Sequence, residues 1–245
     1  MSLFGKWFAK SESFNHCIEW DMHNHVLFGI DDGAKTIEDA VAMCQQFIDL
    51  GYKKIICSPH IMSDYYRNSA ETIEPVIKAL RAELQLRQLP LELDFAAEYY
   101  MDDVFMHQVK AREPLLSIDG QYVLVETSFL NKPMFFEQLL FDIKTAGYMP
   151  VLAHPERYVY LQERYDLVEE IVSSGTLLQI NLLSLAGFYS PNAKKLAEWL
   201  IKEGYYQFLG SDAHSPRQMQ ILSAVLKGKA LNKINWDQVL NARLL

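Results

Sequence analysis

The stretch Asp21-Met22-His23-Asn24-His25-Val26-Leu27-Phe28-Gly29-Ile30-Asp31-Asp32-Gly33 decides how the rest of the chain reads. It comes after the apolar run Cys17-Ile18-Glu19-Trp20, which has the look of a strand. Residues two apart in a strand point the same way, so His23 and His25 at its end can aim two imidazoles at one metal ion. Asp31 or Asp32 can return a carboxylate oxygen from the loop, and Gly33 lets that loop turn. A lone His-x-His describes many ordinary loops, so its meaning depends on the residues downstream.

Downstream of Gly33, strand and helix patterns alternate. The first strand is expected over 18–22. A helix is expected over 37–50, with Thr36 as N-cap and Gly51 at its stop. Lys54–Cys57 reads as a short buried strand closed by Ser58-Pro59-His60. A helix over 71–88 with Ser69 as cap leads to a strand over 91–97 that ends at Glu98. The strand over 122–125 ends at Glu126 and is followed by a helix over 135–146. The strand over 149–153 ends at His154, and its helix spans 163–174. The strand over 177–180 ends at Asn181, followed by a helix over 191–203. The strand over 207–210 runs into Ser211-Asp212-Ala213-His214, and the remainder reads as a terminal helix. Alternating β and α units imply a parallel sheet. Seven such units with no linker between them predict an α/β fold: a distorted (β/α)7 barrel in a single domain.

Each expected strand ends in a residue able to bind metal or orient a ligand: His23/His25, His60, Glu98, Glu126, His154, Asn181 and Asp212/His214. The C-terminal ends of parallel barrel strands share one face, so these residues converge there. They are too many for a single zinc site of about four ligands, and two or three ions sharing bridging carboxylates are expected. Such centres hydrolyse esters: one ion acidifies a water while the others hold the departing and non-bridging oxygens. Arg157, three residues beyond His154, has the planar fork that suits phosphate oxygens. Arg217, three beyond His214, is a weaker candidate of the same kind, and Arg67 weaker still. Aromatic residues gather past the strand ends at Tyr65, Tyr66, Tyr99, Tyr100, Phe129 and Tyr158, mostly as packing of the barrel mouth and in part as walls for a flat ring.

Composition narrows the field. The 245 residues are 50% hydrophobic and carry a net charge of −8, which speaks against nucleic acid as a partner. No apolar run has membrane-spanning length, so no transmembrane segment is expected. Three cysteines, an odd number without a Cys-x-x-Cys, fit a reducing cytoplasm. A thiolate phosphatase mechanism needs an arginine six residues after its cysteine; His23, Leu50 and Ser63 stand six residues after Cys17, Cys44 and Cys57. Residues 1–16 are expected to form a flexible tail and 17–245 the catalytic domain.

Taken together, Asp-Met-His-Asn-His (21–25), Ile-Asp-Asp-Gly-Ala-Lys (30–35), Ser-Pro-His-Ile-Met (58–62), Ala-Ala-Glu-Tyr-Tyr (96–100), Leu-Val-Glu-Thr-Ser (124–128), Leu-Ala-His-Pro-Glu-Arg-Tyr (152–158) and Gly-Ser-Asp-Ala-His (210–214) form a specific set. The chain resembles the polymerase and histidinol phosphatase (PHP) superfamily, and within it the bacterial protein tyrosine phosphatases of capsule and exopolysaccharide operons. The resemblance runs from Asp21 to about Arg217. It implies a three-metal site of manganese, iron or zinc. His23, His25, Glu98 and Asp212 would hold the first ion; Glu98, Glu126 and His154 the second; Asp32, His60 and His214 the third. Arg157 matches the arginine that receives phosphate. Arg217 stands near the place of a second one, in a segment, Ser215-Pro216-Arg217-Gln218, that departs from the family's pattern. The implied substrate is a phosphotyrosyl protein, such as the tail of a bacterial tyrosine kinase controlling capsule synthesis. Two other readings stay open: a phosphoesterase for a small phosphomonoester such as histidinol phosphate, and a metal-binding scaffold without turnover.

Overall fold

The computed structural model describes residues 18–244, so the expected tail at 1–16 and Cys17 lie outside the described residues. In chain order the elements are β1 (Trp20–Asp21), α1 (Ile37–Asp49), β2 (Lys54–Cys57), β3 (His60–Ile61), α2 (Ala70–Leu86), β4 (Glu92–Phe95), β5 (Glu98–Tyr100), α3 (Asp103–Lys110), β6 (Tyr122–Glu126), α4 (Phe136–Thr145), β7 (Met149–Ala153), α5 (Tyr165–Ser173), β8 (Leu177–Asn181), α6 (Leu182–Leu185), α7 (Pro191–Glu203), β9 (Phe208–Gly210) and α8 (Pro216–Lys227). Local chemistry sets several helix starts. Thr36 Oγ1 accepts from the Asp39 backbone N–H, and the Asp39 carboxylate accepts from the Thr36 N–H, forming a capping box. Ser190 and Ser215 cap α7 and α8, each with proline in the first helical turn.

Every strand pair is parallel. The strands fall into two ladders, β1-β2-β4 and β3-β5-β6-β7-β8-β9. The expected seven strands are present as seven lanes, but two of them are broken. Ser58-Pro59 separates β2 from β3, and Ala96-Ala97 separates β4 from β5. Pro59 has no N–H to give to a ladder, and only single hydrogen bonds cross the gap, Ala96 N–H to Cys57 O (2.9 Å) and Glu98 N–H to Pro59 O (3.1 Å). The first and last lanes meet: Asp212 N–H donates to His23 O (2.7 Å) and His25 N–H to Ala213 O (3.0 Å). This contact closes the curled sheet, as the barrel expectation requires.

Alternation along the strands sorts side chains between two cores. Met22, Ile56, Ala96, Leu124, Val151, Ala153 and Phe208 point inward and pack together. Their neighbours Ile55, Cys57, Val123, Val125, Leu152 and Leu209 pack outward beneath the helices. Two expectations need correction. The region after α8 is not one terminal helix but a series of short 3-10 turns at Ala230–Lys233, Trp236–Gln238 and Asn241–Arg243. The helices α3 and α6 stand where none was expected; Asp102 caps α3 by accepting from Phe105 N–H. Among the described residues no helix is long and apolar enough to cross a membrane.

Candidate metal centre

The inward-pointing period continues past the strand ends and aims the acids. Glu98 lies two residues after inward Ala96, and Glu126 two after inward Leu124, so both carboxylates enter the barrel mouth. His154 directly follows β7 and Asp212 stands two residues after the end of β9, both with left-handed backbones, φ 33° and 48°. Such conformations are costly for non-glycine residues and are kept where the surroundings hold them. Gly33 has a different function from the one expected. Its φ is not positive; a Cβ there would lie 2.1 Å from His25 O and 2.9 Å from Asp31 Oδ1, so the backbone must pass close. Gly210 is likewise pressed against Gln179 and His23.

The ring tautomers can be read from the hydrogen bonds. Gln179 Oε1 accepts from the His154 backbone N–H (3.3 Å), which identifies that atom as the amide oxygen. His23 Nδ1, 2.8 Å from the same oxygen, therefore carries its proton, and Nε2 presents a lone pair. His25 Nδ1 lies 2.8 Å from Asp31 Oδ2 and His214 Nδ1 2.8 Å from the Asp212 carbonyl, leaving their Nε2 atoms free in the same sense. His23 Nε2 and His25 Nε2 then face one another at 3.3 Å. Glu98 Oε2 lies 3.2 and 3.5 Å from them, and Asp212 Oδ1 3.4 and 3.3 Å. Both carboxylate oxygens are buried with no hydrogen-bond donor. Four electron-rich atoms converging away from water need a positive charge among them. This is the donor set expected of a cation site.

Two further groups complete the cluster. His25, Asp32, His60 and His214 form one, and His60, Glu98 and Glu126 the other; within each group the ligand atoms lie within 4.8 Å of one another. His60 belongs to both, with Nδ1 3.0 Å from Glu126 Oε1 and Nε2 3.4 Å from Asp32 Oδ1. The expected second set had His154 with Glu98 and Glu126. His154 Nε2 is indeed 3.0 Å from Glu98 Oε1 and 3.9 Å from Glu126 Oε2, but His60 is the imidazole grouped with the two acids. Burial pushes the Glu98 and Asp212 carboxyls up, but the neighbouring imidazoles, with Arg157 beside Asp212, outweigh it and hold both well below the usual range. Burial and the Arg157 charge together push His154 down, keeping it neutral. Five imidazoles and four carboxylates gathered in this way suit several divalent cations.

Arg157 stands at the rim of this cluster. Its guanidinium pairs with Asp212 Oδ2 and lies over two rings, 4.5 Å from the Phe129 centroid and 4.1 Å from that of Tyr189. Asp212 Oδ2 also accepts from Asn181 Nδ2 (2.8 Å) and the Tyr189 hydroxyl (3.3 Å). A cavity of about 190 Å³ opens here, lined among others by Asp32, His60, Tyr66, Glu126, Phe129 and Arg157. Arg217 lies elsewhere, exposed in the first turn of α8 and outside the cavity lining. Of the expected mouth aromatics, Tyr99 and Tyr158 are buried packing, while Tyr66 and Phe129 form walls. Sequence reading missed Gln179 and Tyr189. Gln179 had a faint signal, two residues before Asn181 on the same strand face; Tyr189 lies in a loop and had none.

Known proteins resemble this chain in sequence and in fold. Residues 19–228 match the family described as Capsular polysaccharide synthesis, CpsB/CapC. Over 195 residues the chain is 31% identical to the tyrosine-protein phosphatase YwqE of Bacillus subtilis (strain 168), covering 80% of this chain and 77% of that one. It superposes with a TM-score of 0.79 and 28% identity on a crystal structure from the work on YwqE from Bacillus subtilis and CpsB from Streptococcus pneumoniae, described as unique metal-dependent tyrosine phosphatases; 91% of this chain and 94% of that one are covered. The histidinol phosphate phosphatase of Lactococcus lactis shares the fold, with a TM-score of 0.54 at 16% identity over 87% of this chain and 94% of that one.

Proposed function

This chain belongs to the CpsB/CapC family of capsular polysaccharide synthesis, and from that premise we infer that it is a metal-dependent protein tyrosine phosphatase. One observation carries the chemistry: the Nε2 lone pairs of His23 and His25 meet the undonated oxygens of Glu98 and Asp212 beside the cavity that Arg157 overlooks. We assign three divalent ions to the mouth, of manganese, iron or zinc. His23, His25, Glu98 and Asp212 would hold one; Glu98, Glu126 and His154, with His60 close by, would hold a second; Asp32, His60 and His214 would hold a third. Bound divalent ions supply an acidified water as nucleophile and charge neutralisation for the phosphoryl group.

The protein's own residues do the remainder. Arg157, held in place against the Phe129 and Tyr189 rings, offers its outer N–H groups to the non-bridging phosphoryl oxygens. The phenyl ring of the substrate rests between Tyr66 and Phe129 on the cavity wall. The leaving group is a phenolate, whose conjugate acid has a pKa of about 10, so departure needs no strong general acid. Arg217, exposed in the first turn of α8 outside the cavity, can meet only charge on the substrate beyond the phosphoryl group. The substrate is a phosphotyrosyl protein, and a bacterial tyrosine kinase is the partner we propose. The unpaired, buried thiols Cys44 and Cys57 accord with work in the cytoplasm.

The test is metal analysis of purified protein together with turnover of a phosphotyrosyl peptide, with and without chelator. Bound ions and chelator-sensitive turnover are expected. Protein that is inert with every divalent ion, or faster on histidinol phosphate than on the peptide, would overturn the reading.

A further inference from the structure

The cavity at the metal cluster, about 190 Å³, has room for a phosphorylated side chain but not for the polypeptide that carries it. A second, much larger groove of about 940 Å³ begins at its edge. The two share Met62 as a wall. Between them lies a strap, residues 62–66, closed by paired backbone hydrogen bonds between Met62 and Tyr66 (both 2.9 Å). The strap is tied down: Ser63 N–H donates to Asp102 Oδ2 (3.0 Å), and on its cavity side the Tyr66 ring stacks on His60 at 5.5 Å. The groove floor is apolar, built from Ile61, Phe105, Leu115 and Leu116, with Val104 exposed on the rim. Its exposed charges are mostly negative, Asp64, Glu71 and Glu113 against Arg67 alone, and Arg67 Nε is turned onto the Ser63 carbonyl (2.7 Å).

Resting on the phosphatase reading above, we propose that this groove seats the polypeptide flanking the phosphotyrosine, and that it selects segments combining an apolar side chain with lysine or arginine. Continuity with the cavity sets the occupant. A chain whose phosphorylated ring passes Tyr66 must cross the strap, and the groove lies on the other side. The acidic rim sets the preference, because opposite charge across a rim favours encounter and register. It also opposes acidic flanks, which like-charge juxtaposition penalises.

The experiment compares phosphotyrosyl peptides that differ only in basic, neutral or acidic flanks, with p-nitrophenyl phosphate as a substrate that has no flanks. With the metal-loaded full chain, KM for basic flanks is expected to lie about five- to tenfold below that for acidic flanks, a gap that narrows as salt is raised. The double variant Glu71→Lys with Glu113→Lys reverses the order, and Val104→Lys raises KM for basic peptides. Turnover of p-nitrophenyl phosphate stays unchanged in both, which shows that the fold and the metal cluster persist. Flank-independent KM values in the unaltered protein, or a double variant that keeps the original order, overturn the groove while leaving the phosphatase reading intact. A shift in molecular mass by light scattering with unaltered KM reassigns the face to contact between copies and also overturns it. An unaltered protein that turns over no phosphotyrosyl substrate overturns the function, and the groove with it.

Discussion

Gln179 Oε1 lies 2.8 Å from His23 Nδ1 and accepts at the same time from the His154 backbone, so one amide oxygen orients two residues of the cluster across 156 and 25 positions of sequence. Replacing Gln179 by alanine frees the His23 ring to present either tautomer. Metal affinity is expected to fall about 10- to 100-fold, the usual cost of losing such a partner. Metal titration, with circular dichroism to show an intact fold, checks this; unchanged affinity would mean that the ring is held by packing alone.

Arg157 is held by stacking as well as by charge. Arg157→Lys keeps the charge but loses the fork and the ring contacts. The expected result is a KM for phosphotyrosyl peptide raised about 10- to 100-fold, from the worth of charged hydrogen bonds. Metal content should hold, since Asp212 Oδ2 retains Asn181 and Tyr189 as donors. Steady-state kinetics beside elemental analysis separates the two effects.

Gly33→Ala puts a methyl group into the His25 backbone. The loop carrying Asp31 and Asp32 must move, at a cost of about 1–3 kcal/mol if it behaves like other overpacked sites. Loss of metal binding should exceed loss of stability, because Asp31 orients His25 and Asp32 faces His60 and His214. Melting curves and metal content on one preparation measure both.

Chelation removes the charge that the convergent lone pairs and carboxylates require. The apoprotein should melt about 5–10 °C below protein held at roughly 100 times the dissociation constant of the ion. Restoring the ion should restore the midpoint; equal melting temperatures would argue that no ion is held in the folded state.

Burial pushes the Cys44 thiol up from its ordinary 9.0 to about 12, and Cys57 is raised well above its usual value for the same reason. Iodoacetamide at pH 8 should therefore leave both unmodified in the folded protein and label them on unfolding, with phosphatase activity retained after treatment. The raised folded-state pKa of Cys44 fixes the sign for stability. Its contribution is fully present below pH 9 and is lost as pH rises toward 12. Peptide mass mapping reads the labelling, and denaturant melts over that alkaline range read the stability.

Much of the site was legible because strand geometry is local. Glu98, Glu126 and His154 stand at the ends of apolar runs, and a two-residue period suffices to say which face the two acids take. Gly33 was legible as a necessary glycine, though its reason, close approach to His25, was not. The break at Ser58-Pro59 could be read from proline's missing N–H, whereas the break at Ala96-Ala97 has no sequence signature.

By itself the order of residues determined the alternating β/α pattern, the parallel sheet and the ligand types at the strand ends, since each arises from spacing within a few positions. Only the tertiary structure decided that His60 stands between two ligand groups, that Gln179 and Asp31 set the tautomers, that Tyr189 supports Arg157, and that Arg217 stays outside. Most of those relationships join residues tens to more than a hundred positions apart. They depend on strand register and on the closing contact between His23 and Asp212, and no local period carries that information.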